Sequence, residues 1–63
     1  MSGRAPLRVE GVDYSPEGIM DLYAEVARFR DEALRQNEFG TAVSLSHVLA
    51  LLFYLAELER QAA

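Results

Sequence analysis

Residues 41–61 read TAVSLSHVLALLFYLAELERQ, and their middle, Val48 to Ala56, is an unbroken run of apolar or aromatic residues. No formal charge occurs from Phe39 to Ala56. At about 100° per residue this segment forms a helix roughly 30 Å long. Its apolar side chains then cover roughly 260° of the circumference, against the ~100° stripe of an ordinary surface helix. One neighbouring helix cannot cover so wide an arc, so this helix requires several partners.

Length and composition indicate how such a chain becomes stable. The protein has 63 residues, a net charge of −4 and no cysteine. A domain this small buries only about 60% of the surface of its unfolded chain, and small scaffolds usually rely on disulfides, a metal or a partner subunit. The absence of cysteine excludes disulfides and fits a reducing compartment. We therefore expect a cytoplasmic, self-associating protein without a cofactor, whose negative charge disfavours nucleic acid.

The uncharged run also reaches the length of about 18 residues at which a membrane span becomes feasible. However, Ser44, Ser46 and His47 lie in its first half, and Glu57 and Glu59 follow it directly. We interpret it as a helix buried in a bundle and expect no membrane partner. Residues 1–6 lack the apolar segment of a secretory signal and are expected to form a flexible tail.

The remaining elements form one small domain over residues 7–63. Residues 7–12, LRVEGV, begin with alternating apolar and charged residues, which predicts a short strand or extended segment. Nothing else resembles a strand, so this segment should lie across the helices or pair with its copy in another subunit. Ser15 and Pro16 then mark a helix start, followed by an amphipathic pattern that predicts a first helix over residues 16–37.

A short turn separates this helix from the second, predicted over residues 41–61. Asn37 or Gly40 can adopt the left-handed conformation that ends a helix, and Thr41 can cap the next one. So short a turn makes the helices antiparallel neighbours. Residues 37–43, NEFGTAV, resemble the turn of a tetratricopeptide repeat, which also implies a helical hairpin.

The order of elements resembles the ribbon-helix-helix DNA-binding family: a strand over Leu7 to Val12, a helix that starts at Pro16, a Gly-Thr turn and a second helix. In that family the strands of a dimer form a ribbon that enters the major groove. The resemblance implies a DNA-binding regulator or antitoxin. Here the exposed side of the strand would carry one Arg and one Glu, Arg8 and Glu10.

Residues that could carry chemistry are few. His47 is the single histidine, and we interpret it as a hydrogen-bonded residue at the edge of a bundle. Ser44 and Ser46 lie near it, but residues one apart on a helix, such as Ser46 and His47, point about 100° away from each other, so that spacing brings no nucleophile and base together. Arg30 is a charge inside the apolar arc of the first helix, either lying along an interface edge or holding an anion. We expect neither catalysis nor metal binding.

These observations predict an all-α fold, a helical hairpin with a short N-terminal extended segment or strand, assembled as a homodimeric four-helix bundle or a higher oligomer. The expected function is that of a non-enzymatic interaction or scaffold protein that binds itself and, in addition, another protein; the alternative is the DNA-binding regulator. The oligomer interface is predicted at Leu22, Val26, Phe29, Leu45, Val48, Leu49, Leu51, Leu52 and Leu55.

Overall fold

The structure, a computed structural model, describes residues 8–62 and consists of two antiparallel helices preceded by a very short β-hairpin. Strands β1 and β2 span Arg8–Val9 and Val12–Asp13. Helix α1 spans Pro16–Arg35, and helix α2 spans Phe39–Ala62. The predicted all-α helical hairpin is confirmed. The tail predicted at residues 1–6 lies outside the described residues.

The N-terminal segment pairs within its own chain, which corrects the expectation that it has no partner there. Arg8 pairs with Asp13 and Val9 with Val12 in an antiparallel register. The two residues between the strands, Glu10 and Gly11, both have positive φ, 52° and 82°. Positive φ at both central residues is typical of a type I′ turn, whose twist matches that of the strands it joins. The alternating pattern therefore ran across a turn and not along one strand.

Helix α1 begins at the predicted residue. Ser15 has an extended backbone, and its hydroxyl accepts a hydrogen bond from the backbone N–H of Gly18 at 3.2 Å. Pro16 occupies the first helical position, where its missing N–H costs nothing. Glu17 adds a negative charge in the first turn, which is favourable at the positive end of the helix dipole.

The turn between the helices is a Schellman motif centred on Asn37. Asn37 has φ of 58°, and its N–H donates to the carbonyl of Leu34 at 3.1 Å. The N–H of Glu38 donates to the carbonyl of Ala33 at 2.8 Å. These two bonds satisfy carbonyls at the end of α1. Asn37, and not Gly40, thus takes the left-handed position, and α1 ends at Arg35 instead of Asn37.

Helix α2 starts earlier than expected because Glu38 already accepts its first hydrogen bond. The N–H of Ala42 donates to the carbonyl of Glu38 at 3.0 Å, and Phe39 is the first helical residue. Thr41 lies inside the first turn and is not the cap. The added residues lengthen α2 to 24, or about 36 Å.

The hydrophobic core lies along the seam between the two helices. Ile19 of α1 and Leu52 and Ala56 of α2 form its buried centre. Several partly buried side chains pack around them: Tyr14, Met20, Leu22, Tyr23, Val26 and Leu55. Nearer the turn, Ala33, Ala42 and Leu49 are also buried. The small alanines let the helix backbones approach closely, and the seam uses only one side of α2.

Candidate interaction surface

Helix α2 has one side packed on α1 and another that no part of residues 8–62 covers. Leu49 and Leu52 are 4% and 9% exposed and face α1. Leu51, which lies between them in sequence, is 67% exposed, and Tyr54 is 64% exposed. On a helical wheel Leu51 lies almost opposite Leu49, because two residues advance about 200°. We call the uncovered side the outward face of α2, formed by Ser44, Val48, Leu51, Leu55 and Leu58.

The spacing of the outward face is that of a coiled-coil seam. Its positions 44, 48, 51, 55 and 58 alternate in steps of four and three, so that Val48 and Leu55 take heptad positions a and Leu51 and Leu58 positions d. Val48, Leu51 and Leu58 are exposed, and Leu55 is half-buried at the border with the core. His47 and Tyr54 occupy flanking g positions and are exposed. An apolar stripe with this period is suited to a second helix.

The structure divides the predicted interface residues into three groups. Leu49 and Leu52 are buried between the helices of one chain and have little surface left for a partner. Leu22, Val26, Leu45 and Leu55 are half-buried at the edges of the seam. Phe29, Val48 and Leu51 are exposed.

Sequence reasoning left two prominent residues out of the interface, Tyr54 and Leu58. Both are exposed and belong to the uncovered side of α2. The four-and-three spacing that runs from Ser44 to Leu58 is the signal that could have found Leu58. Tyr54 lies four residues before Leu58, at a g position on the edge of the outward face.

A second surface feature is a groove beside the interhelical turn, which we call the turn groove. It encloses a volume of about 270 Å³. Its lining is mostly apolar, with one cationic side chain and one imidazole: Arg30, Leu34, Phe39, Ala42, Val43, Ser46 and His47. Arg30 donates to the Asp31 carboxylate from Nε at 3.3 Å. Ser46 donates from its hydroxyl to the carbonyl of Ala42 at 2.9 Å.

The polar residues of the turn groove do not form a reaction centre. The Ser46 hydroxyl is engaged with the helix backbone, and the Arg30 charge is paired with Asp31. Over residues 8–62, no cluster of three or more His, Asp or Glu side chains could hold a metal ion. The groove can accommodate an apolar side chain, and its geometry assigns no proton transfer or nucleophile to any residue.

A hydrogen-bonded carboxylate, that of Glu32, lies on the solvent side of α1. Gln36 donates to the Glu32 carboxylate from Nε2 at 2.8 Å, and Arg35 donates to it from Nη2 at 2.7 Å. These hydrogen bonds, with the charge of Arg35, lower the pKa of Glu32 below its ordinary value of 4.5. The group stabilises the last turn of α1 and takes no part in either surface.

Helix α2 is also long and apolar enough to cross a membrane, judged by length and composition. Within residues 8–62 it is the one helix that meets this criterion, with a mean hydropathy of 1.7 over its most apolar window. Core helices of water-soluble proteins, which are mostly buried, meet the same criterion, whereas 22% of this window is buried inside the described residues.

Comparison with known proteins gives no relative. Neither the scan against protein-family models nor the searches of curated proteins and of solved structures found a match for this chain.

Proposed function

We propose that this protein is a small, non-enzymatic interaction protein whose working unit is a homodimer formed through the outward face of α2. The observation that carries the proposal is the apolar heptad stripe on the outward face of α2, which α1 does not cover. Leu51 at its centre is 67% exposed in the single chain, and Val48 and Leu58 are exposed on either side. Contiguous exposed apolar surface on a small domain marks an interaction site. Docking two chains covers the arc of α2 that α1 leaves open and yields the four-helix arrangement.

A second copy fits this face better than a lipid bilayer does. Helix α1 packs antiparallel along α2, and its other side carries seven charged residues: Glu17, Asp21, Glu25, Arg28, Asp31, Glu32 and Arg35. If α2 crossed a membrane with α1 attached, these charges would enter hydrocarbon, at a cost of several kcal/mol each without pairing. A bundle in water leaves them solvated. The net charge of −4 also disfavours binding to anionic lipid.

The interaction role follows from what a dimer leaves exposed. The turn groove, with Phe39 at 60% and Val43 at 56% exposed, lies at the end of α2 and beside its outward face. It can receive an apolar side chain of another protein after the dimer has formed. The N-terminal ribbon is less suited to DNA, because Glu10 and Gly11 form its turn and the strands are two residues long. We therefore favour protein partners.

Analytical ultracentrifugation of the full chain tests the proposal. Between low micromolar and high micromolar concentration we expect a folded helical particle of twice the chain mass of 7.0 kDa. Its thermal midpoint should rise with concentration, because dimers are stabilised by mass action. A cooperatively folded particle of 7.0 kDa, with a midpoint independent of concentration, would refute the dimer.

A parallel measurement addresses the bilayer. The protein is mixed with vesicles of neutral phosphatidylcholine and centrifuged. Under the proposal it stays in the supernatant at the dimer mass. Sedimentation of the protein with the vesicles, together with loss of the dimer, would assign the outward face to lipid.

A further inference from the structure

We infer that the two chains pack with their α2 helices antiparallel, in the one register that opposes Val48 to the partner's Leu58 and Leu51 to the partner's Leu55. This inference rests on the proposed function and adds the orientation and the register of the interface. In antiparallel coiled coils each a position packs against a d position of the other helix. Three registers bring the a and d residues of this face into contact, and they differ in which partner residues lie opposite its apolar side chains.

Only one of these registers buries every apolar residue of the stripe against another apolar residue. In a twofold-symmetric antiparallel pair the two residue numbers of every opposed pair have the same sum, which is 106 in this register. Ser44 is therefore opposite Ala62 of the partner subunit. A shift by one heptad towards the N-terminus opposes Leu55 and Leu58 to the partner's Ser44 and the partner's Thr41. A shift the other way moves Val48 beyond the helix end. The chosen register therefore removes the largest apolar area from water.

Polar groups at the rim fit the same arrangement. In this register the flanking g positions place His47 beside the partner's Gln61 and Tyr54 beside its own copy. An imidazole and an amide can exchange a hydrogen bond there. In a parallel pair, g positions meet e positions, and His47 would approach the partner's Leu52, which is buried against α1. The parallel pair therefore leaves the imidazole without a polar neighbour across the interface.

Charges and dipoles favour the antiparallel pair as well. The last turns of α2 carry Glu57, Glu59 and Arg60, while the helix from Phe39 to Ala56 has no formal charge. A parallel pair would place the two acidic ends, and the negative ends of two helix dipoles, side by side. The antiparallel pair separates the two acidic ends, because Glu57 lies opposite the partner's Leu49 and Glu59 opposite the partner's His47.

Cysteine cross-linking tests the orientation, since the natural chain contains no cysteine. Two exposed positions are replaced singly, Tyr54→Cys and Ser44→Cys, and each protein is treated with a bismaleimide that spans about 10 Å, roughly one helix diameter. In the inferred pair, position 54 lies beside its copy. Position 44 lies about 27 Å from its copy, because Ser44 is opposite Ala62 and each residue rises about 1.5 Å. We expect covalent dimer as the main product for Tyr54→Cys and background for Ser44→Cys.

Other outcomes separate this inference from the proposed function. Efficient cross-linking of Ser44→Cys would establish a parallel pair, which overturns the inference and leaves the dimer standing. Background for both variants of a dimeric protein would place the interface on another face and overturn the inference. A monomeric wild type overturns the proposed function itself. If Tyr54→Cys fails to fold by circular dichroism, an equimolar mixture of His47→Cys and Gln61→Cys replaces it, and hetero-cross-linking is expected only in the antiparallel pair.

Discussion

Replacement of Leu51 by alanine should weaken the dimer strongly and leave the hairpin intact. Leu51 is 67% exposed in the single chain, so about two thirds of its side chain is still available for burial by a partner. The substitution removes three carbon atoms, worth roughly 0.8 kcal/mol each when fully buried, or about 1.6 kcal/mol for the buried two thirds. Because twofold symmetry counts the change twice, dissociation becomes easier by about 3 kcal/mol. The dissociation constant should rise roughly 150-fold.

Sedimentation equilibrium at several loading concentrations measures this constant directly. Alanine is at least as good a helix former as leucine, so α2 itself should not lose stability. Leu34→Ala provides the matched control, since Leu34 is also a partly exposed helical leucine, 43% exposed, but lies on α1 beside the turn groove. Its dissociation constant should stay near that of the wild type. If Leu51→Ala leaves the constant unchanged, or if the control shifts it equally, the outward face is not the interface and the reasoning is refuted.

Two further predictions concern the stability of α1. Asn37→Ala should lower the free energy of unfolding by about 1 kcal/mol, whereas Asn37→Gly should leave it unchanged. The reason is that Asn37 has φ of 58°, which strains a residue that has a Cβ and no side chain able to hydrogen-bond locally. Equal urea midpoints for the two variants would contradict this prediction. Glu32 has a folded pKa below its unfolded value, so its contribution is present above about pH 4.5 and is lost as pH falls through the folded pKa. Glu32→Gln should therefore flatten the fall in thermal midpoint below pH 4.5, Glu25→Gln serves as control, and an unchanged acid profile would exclude the effect.

Local signals predicted the helices well. Ser15 and Pro16 placed the start of α1 at the observed residue, because an N-cap and a first-turn proline act through their own backbone and need no tertiary contact. The α2 segment was recognisable as a helix from its length and uncharged character. The ends of the turn were less accurate. The Schellman motif at Asn37 let α2 begin at Phe39, and the sequence alone did not distinguish Asn37 from Gly40 as the left-handed residue.

The short β-hairpin was missed because its turn sequence is unusual. Type I′ turns favour Asn, Asp or Gly at both central positions. Gly11 satisfies this preference and Glu10 does not, so the alternation of residues 7–10 appeared to be a single strand. Residues 8–9 pair with residues 12–13 across this turn, and the alternation within one segment does not show such a contact between two segments.

By itself the sequence determined that the protein is a two-helix hairpin and that α2 has more apolar surface than one neighbour can cover. It did not determine which part of that surface faces α1. Leu49, Leu51 and Leu52 are the same residue type, and an apolar pattern that covers about 260° of the helix does not show which of them faces α1. Only the docking of α1, through Ile19 against Leu52 and Ala56, placed Leu52 inside and left Leu51 outside. The reason is physical: burial is a property of two surfaces in contact, whereas a periodic pattern describes one.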